Sequence, residues 1–376
     1  MSAPSQSSAL RPASTAELAE ILAADDRPLE PVGTGSKRAI GRPVEGDVLE
    51  LELLSGVVDY RPSELVLTAC AATPLAELGS LLAEHRQRLA FEPPDLAQLL
   101  GSGATRQSIG GVLAANLSGS RRVSAGAARD HFLGVTAVNG AGQTFKAGGK
   151  VVKNVTGYDL TKVIAGSWGS LAVMTEVTLK VVPQAETEVT LILPDETPVA
   201  AVHTLSQALG SPHEVSSAAF DPWRGSALRL EGIAASVSAR EQALLGELGS
   251  PQVERLEGDE SHAYWARQAG AEALSEWPVV WRLSVPPSDA PRVVEAIAPE
   301  RYLLDWGGGL IWAAFKSVDS TRVRGALREG HAFLIKAPPD SRTCRQQPPS
   351  AAMEQVLHKL RQAFDPAGRL NPGRMD

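Results

Sequence analysis

The sequence predicts an α+β protein of two domains, and three observations carry that prediction. Its 376 residues exceed the roughly 100 to 200 of a usual single domain. Between Leu96 and Arg129, glycine, serine and alanine displace most large side chains. Such a composition suits main chain laid against something large and flat better than it suits a core of its own. Beyond Pro183 the apolar pattern falls into strand, helix, strand, strand, helix, strand, and a similar order then recurs. That is the β-α-β-β-α-β order of a ferredoxin-like unit, read here as two such halves.

Met1 to Ala13 contains Ser, Pro and Gln, lacks a basic segment followed by an apolar run, and is expected to be a disordered tail (1–13). Ser14 and Glu17 form a capping box ahead of Leu18, Ile21 and Leu22, so a short helix opens the fold. Leu29 to Val32 is a brief strand entering Gly33-Thr34-Gly35-Ser36-Lys37, and Val48 to Leu53 alternates as a second strand. Thr73 and Pro74 start a helix with Leu75, Leu78 and Leu82 on one face. Val135 to Val138 and Gln143 to Ala147 flank Asn139-Gly140 as a hairpin, and Leu171 to Val182 alternates as a long strand closed by Pro183. The first domain is thus expected over 14–183 and the second over 184–340. The second has strands near 188–193, 215–220, 227–232, 279–285, 301–306, 310–315 and 332–336, with helices near 198–209, 238–249, 289–298 and 319–328. A final helix with Met353, Leu357, Leu360 and Phe364 on one stripe belongs to a tail, 341–376, that returns to the first domain.

Bulk chemistry narrows the function. A net charge of −7, with scattered Lys and Arg, argues against a nucleic-acid surface. Cys70 and Cys344 are the only cysteines, too few for a disulfide scaffold or for the four thiolates of an iron–sulfur cluster. The histidines at 85, 131, 203, 213, 262, 331 and 358 include no pair at i, i+3 or i+4, so no metal site is expected. No stretch approaches the roughly 20 apolar residues of a membrane span. A cytoplasmic protein, at most peripherally attached to a membrane, is expected.

Four segments carry the chemistry. Gly33-Thr34-Gly35-Ser36 follows a strand and can turn several N–H groups toward one anion, although an ordinary tight turn fits it too. It is not a Rossmann fingerprint: Arg38 stands where the third glycine belongs, and a strand, not a long helix, follows. In Ser108-Ile109-Gly110-Gly111-Val112-Leu113-Ala114-Ala115-Asn116-Leu117-Ser118-Gly119, paired glycines let main chain approach a planar ring, and Asn116 and Ser118 can bond its polar edge. A small-residue packing helix is the alternative. Ala125-Gly126-Ala127-Ala128-Arg129-Asp130 carries adjacent opposite charges, which also suit a surface pair. Lys150 to Leu160 leads into Gly166-Ser167-Trp168-Gly169-Ser170-Leu171, where Trp168 suits packing or cofactor contact equally.

The order and spacing of these blocks, with the strand Val173 to Val182 after them, resemble the FAD-binding domain of the vanillyl-alcohol oxidase and p-cresol methylhydroxylase (PCMH-type) superfamily. Within it, Lys153-Asn154-Val155-Thr156-Gly157-Tyr158-Asp159-Leu160 and the ending Phe364 to Met375 are most similar to the FAD-binding E subunits of bacterial glycolate oxidases. The resemblance implies a two-lobed FAD domain followed by an α+β domain. It implies that Val32, Gly33, Thr34, Gly35, Ser36 and Lys37 hold the FAD pyrophosphate. Ser108, Ile109, Gly110, Gly111, Ala114, Asn116, Ser118 and Gly119 would line the isoalloxazine and ribityl chain, and Arg129 with Asp130 would order the neighbouring loop. Val135 and Val173 would meet the adenine end, and Gly166, Ser167 and Gly169 would close over the phosphates.

The first loop has neither the His nor the Cys that relatives with covalent flavin place there, so the FAD is expected to be non-covalent. The implied activity is oxidation of glycolate, or another small 2-hydroxy acid, inside a complex with a second FAD subunit and an iron–sulfur subunit. No substrate base is recognisable in the second half, which leaves a non-catalytic electron-relay or assembly role open.

Overall fold

The computed structural model describes residues 10–102, 106–149, 158–194, 197–249, 253–341 and 347–375. Met1 to Ala9, the segment Lys150 to Gly157 and Cys344 lie outside the described residues.

The first half is built on two sheets. β1 (Leu29–Val32) and β2 (Asp47–Glu50) pair in parallel. β3 (Val57–Arg61), β4 (Val66–Cys70), β5 (Gln87–Leu89), β6 (Phe132–Asn139), β7 (Thr144–Gly148) and β8 (Ala172–Pro183) form an antiparallel sheet ordered β3-β4-β8-β6-β7, with β5 also on β8. Central β8 is buried on both faces: Val177, Leu179 and Val181 join one core, while Val173 joins another with Leu18, Leu22, Leu29 and Leu49. β3 and β4 carry no reading from sequence. β3 is an edge strand whose Val57 and Val58 are exposed, so it lacks a buried alternation.

Three sequence expectations change here. The tail ends earlier than expected: Leu10 pairs in parallel with Leu49, accepting from Glu50 N at 2.8 Å. This satisfies the otherwise open edge of β2. The strand expected to Leu53 stops at Glu50 because Leu54 N turns back onto Leu51 O. In the capping box, Ser14 Oγ accepts from Glu17 N at 3.1 Å, while Glu17 reaches Ala13 N at 2.8 Å.

The second half is one eight-stranded antiparallel sheet. β9 (Thr187–Leu193), β10 (Ser217–Asp221), β11 (Gly225–Gly232) and β12 (Glu254–Glu257) come from the first repeat. β13 (Val279–Ser284), β14 (Arg301–Asp305), β15 (Leu310–Phe315) and β16 (His331–Lys336) come from the second. The order β12-β9-β11-β10-β14-β15-β13-β16 places two ferredoxin-like sheets edge to edge across β10 and β14, where Phe220 opposes Leu304.

Helices Pro198–Gly210, Ala234–Leu248, Ala290–Ile297 and Ser320–Gly325 follow strands in both repeats. Their Leu205, Leu244, Val293 and Val323 share one core with Leu191, Phe220, Trp281 and Ile311 of the sheet. The opposite sheet face meets the first half. There Val280, Leu303, Trp312 and Phe333 pack with Ile40, Leu99, Ala115, Leu117 and Trp168. The glycine-rich stretch therefore does contribute core, as the layer between two sheets.

The last helix, Ala351–Phe364, contains no buried residue. Only its end is anchored by rings, with Phe364 5.8 Å from Phe145. The chain after it returns to the first half: Leu29 N donates to Arg369 O at 2.8 Å and Asn371 N to Leu29 O at 2.9 Å.

Candidate functional site

The return of the C-terminus builds a groove beside the loop that leaves β1. Glu30 is buried and accepts from Arg38 Nε at 3.0 Å and from Arg374 Nη1 at 3.2 Å, and Arg374 Nη2 donates to Lys37 O at 2.9 Å. These bonds pin both ends of the loop. Between them, the backbone N–H groups of Gly33, Thr34, Gly35, Ser36 and Lys37 donate to no group among the described residues. Gly35 takes a φ of +74°, a region open to glycine at no steric cost. Five consecutive free amides at one turn form an anion cradle.

Lys37 extends the cradle. Its Nζ donates to the neutral Gln107 Oε1 at 2.6 Å, and burial pushes its pKa down to about 8, against the opposing pull of Asp95.

The opposite wall is the helix Ile109–Ala115, capped by Ser108, whose Oγ accepts from Gly111 N at 3.3 Å. Its two glycines differ. A Cβ on Gly110 would lie 2.8 Å from Ala71 O, so that residue is packed against main chain. A Cβ on Gly111 would meet only Ser108 Oγ, at 3.1 Å, and otherwise faces the groove.

The floor is Trp168, in the left-handed region at φ +54°. Its N–H donates to Ala114 O at 2.9 Å and its carbonyl accepts from Asn371 Nδ2 at 2.8 Å, so the helix wall and the C-terminal segment together hold a conformation that bulky residues rarely adopt. The groove continues into an apolar end lined by Leu51, Ala71, Ala72, Ala172, Val173 and Met174.

Of the site residues expected from sequence, the structure brings together Val32, Gly33, Thr34, Gly35, Ser36, Lys37, Ser108, Gly110, Gly111, Ala114, Gly169 and Val173 around this groove. Others lie elsewhere. Ile109 and Val135 point into the core of the first sheet. Asn116 ends its helix at φ +47° and accepts from Arg129 N at 3.1 Å. Gly166 N donates to Leu113 O at 3.0 Å, which ties its turn to that helix. Ser167 keeps a buried Oγ with no partner among the described residues. Arg129 and Asp130 form a loose pair at 3.8 Å on an exposed turn.

Ser118 is buried and Gly119 belongs to the seam between the halves, where Gly119 O accepts from Trp306 Nε1 at 2.9 Å. The same seam holds Ser120 Oγ on Asp305 Oδ2 at 2.6 Å and a bidentate pair of Arg229 with Glu92 at 2.8 and 2.7 Å. Sequence reasoning missed Asn371, a groove residue some 200 positions from Trp168 that no local pattern connects to it.

This donor set fits a flavin dinucleotide. Free amides and Lys37 suit a pyrophosphate, a glycine-faced wall suits a planar ring, and Asn371 Oδ1 is a buried acceptor without a partner among the described residues. Among the described residues lining the groove there is neither His nor Cys.

Comparison with known proteins agrees. The FAD binding domain family matches residues 7–148. The glycolate oxidase subunit GlcE of Escherichia coli is 35% identical over 93% of this chain and 93% of its own. The glycolate oxidase subunit GlcD of Bacillus subtilis is 33% identical over 54% of this chain and 42% of its own. An alkyldihydroxyacetonephosphate synthase structure superimposes with a TM-score of 0.69 at 15% identity, over 96% of this chain and 76% of that one, which bears on the fold alone. The chain belongs to the FAD-dependent oxidoreductase family of the glycolate oxidase subunit GlcE, with a PCMH-type fold and FAD as its cofactor.

Proposed function

We propose that this chain is the FAD-binding subunit of a glycolate (2-hydroxy acid) oxidase or dehydrogenase complex, working beside a second FAD subunit and an iron–sulfur subunit. The observation that carries this is the groove: five free amides and Lys37 on one wall, Gly111 on the other, in a chain that aligns with GlcE along its length. When bound, FAD supplies the two-electron redox chemistry. The chain's own work is binding and positioning. Val32 to Lys37 hold the pyrophosphate, Gly111 and Ala114 admit the ring, and Trp168, fixed by Asn371, forms the floor. With neither His nor Cys among the described residues lining the groove, the flavin is held non-covalently.

A second reading has a specific observation in its favour. Among the described residues lining the groove there is no His, Asp or Glu to take the hydroxyl proton. A relay or assembly subunit, with substrate oxidation in the partner, meets that fact directly. The two are separated by adding glycolate or D-lactate anaerobically to the purified chain. Bleaching of the flavin band near about 450 nm, where oxidised flavin absorbs, excludes the relay-only reading. A yellow chain that bleaches only when its partner is present supports it. A chain that retains no flavin after purification and reconstitution refutes both.

A further inference from the structure

A cleft at the seam between the two halves lies apart from the groove. Its volume is about 460 Å³, and it shares no lining residue with the groove. One wall is the helix Leu75–Glu84 of the first half, through Leu75, Gly79 and Ala83, which recur every four residues on one face. The other is the helix Gly258–Ala269 of the second half, through Trp265, Ala266 and Ala269. Leu89 and Phe91 complete the apolar lining. Small-molecule sites occur at such domain boundaries, in cavities of about 300 to 1,000 Å³ lined mainly by apolar and aromatic side chains.

The walls are open on one side and fixed on the other. Glycine is a poor helix former, yet Gly79 stands in the middle of its helix, where an added Cβ would meet no atom within 4 Å. Packing within the fold therefore does not require glycine here; its effect is to leave the cleft open. On the facing helix Trp265 is locked in place. Its Nε1 donates to Thr190 Oγ1 at 2.7 Å, and the Arg229 guanidinium lies 4.8 Å from its ring centroid.

The charged groups of the lining are already matched. Arg229 makes its bidentate pair with Glu92, Arg88 Nη1 donates to Glu231 Oε1 at 2.7 Å, and His262 Nε2 lies 3.5 Å from Glu188 Oε2. Asp95 accepts from Ala97 N at 3.0 Å and pulls on Lys37 of the anion cradle. An ion entering the cleft would lose its water without gaining a free counter-charge, which is costly. One donor remains: Arg88 Nε is buried and has no hydrogen-bond partner among the described residues. The ligand that suits this lining is uncharged, flat and apolar over most of its surface, with one hydrogen-bond acceptor for Arg88.

We propose that this cleft is a second binding site, for a neutral one- or two-ring aromatic molecule with a carbonyl or similar acceptor, which bridges the two halves. The site stands independently of the glycolate reading.

The test titrates the full chain with its FAD calorimetrically with 2-naphthamide and with 2-naphthoate, which has the same rings but carries a charge. One 2-naphthamide per chain is expected, bound at least ten-fold more tightly than 2-naphthoate, and saturating 2-naphthamide should raise Tm. Gly79→Leu fills the cleft from the first half and Ala266→Leu from the second. Each should weaken 2-naphthamide binding at least ten-fold while FAD content and the ligand-free Tm stay unchanged. Absence of saturable 2-naphthamide binding by wild type overturns the site, as does 2-naphthoate bound within two-fold of 2-naphthamide. Binding of 2-naphthamide by either variant within two-fold of wild type overturns it equally. If one variant does not fold, the other decides.

Discussion

The two adjacent glycines of the helix Ile109–Ala115 give opposite predictions. At Gly111 a new side chain points into the groove, since the single atom within 4 Å of an added Cβ is Ser108 Oγ at 3.1 Å. Gly111→Leu therefore removes a weak helix former, worth about 0.8 to 1 kcal/mol of helix stability, and places four carbons in the groove proposed to hold the cofactor. Main chain on the opposite wall is pinned by Glu30 and Arg374 and cannot retreat. Overpacking of that kind costs about 1 to 3 kcal/mol, roughly a 5- to 150-fold rise in the Kd for FAD.

At Gly110 an added Cβ would lie 2.8 Å from Ala71 O and 2.9 Å from Ala71 Cβ, and Gly110 N already donates to that carbonyl at 2.7 Å. Gly110→Ala should thus cost about 1 to 3 kcal/mol of fold stability. The assay is FAD per polypeptide after gel filtration, with Tm measured on the apo and holo forms. Gly111→Leu should keep its apo Tm and lose flavin; Gly110→Ala should lose apo Tm first. A Gly111→Leu protein holding full FAD with a Kd within two-fold of wild type would refute the placement of the cofactor against this helix.

Three further outcomes follow from the charges. Because the Lys37 pKa is pushed down to about 8, the cation proposed to meet an anionic cofactor is lost above that pH. FAD affinity should fall as pH rises from 7 to 9.5 in wild type and stay flat in Lys37→Met, which starts about ten-fold weaker, the loss of about 1.4 kcal/mol; fluorescence titration of FAD reads both. Burial raises the Asp305 pKa from 3.8 to about 6, against the opposing bonds from Ser120 and Trp306. Its stabilising neutral form is complete below 3.8 and lost as pH rises through about 6. Asp305→Asn should remove a pH-dependent loss of at most about 3 kcal/mol between pH 4 and 7, measured by urea unfolding across that range. Arg229 is buried with Glu92 and near Glu188, so Arg229→Met leaves unpaired carboxylates at the seam and should destabilise the chain by about 3 to 5 kcal/mol. Unchanged thermal unfolding would refute that role.

The periodic parts of the fold were legible in the sequence because their signals are local. The eight strands of the second half alternate between a helix-covered core and an inner face, and Thr197, Pro198 and Ser350 mark helix starts with caps or a fixed φ. The loop Gly33–Lys37 was equally visible, since a cradle of amides requires glycine within a few residues. What was not visible follows from the same physics. β3 is a short edge strand with exposed valines, and its partner β4 is recognised only once β8 is in place beside it. The final helix shows a regular apolar stripe, yet Met353 is 51% exposed, because periodicity reports amphipathicity and not what covers it.

The site itself shows the limit most clearly. Trp168 lies in a left-handed conformation that bulky residues rarely adopt, held there by Ala114 O accepting from its N–H and by Asn371, from the far end of the chain, donating to its carbonyl. Arg374 and Glu30 likewise meet across 344 positions to fix a loop that neither could fix alone. A single sequence carries such pairs without marking them, since neither residue type is unusual where it stands. Arg282 extends the point: in the strand Val-Val-Trp-Arg-Leu-Ser it reads as one polar residue in an alternating pattern, and only the fold shows the indoles of Trp306 and Trp312 beside it and the Asp305 carboxylate opposing the loss of its charge. Main chain open enough to admit a ring is therefore written locally in glycine, whereas the side chains that fix the loops around it are set by which distant segments the fold makes neighbours.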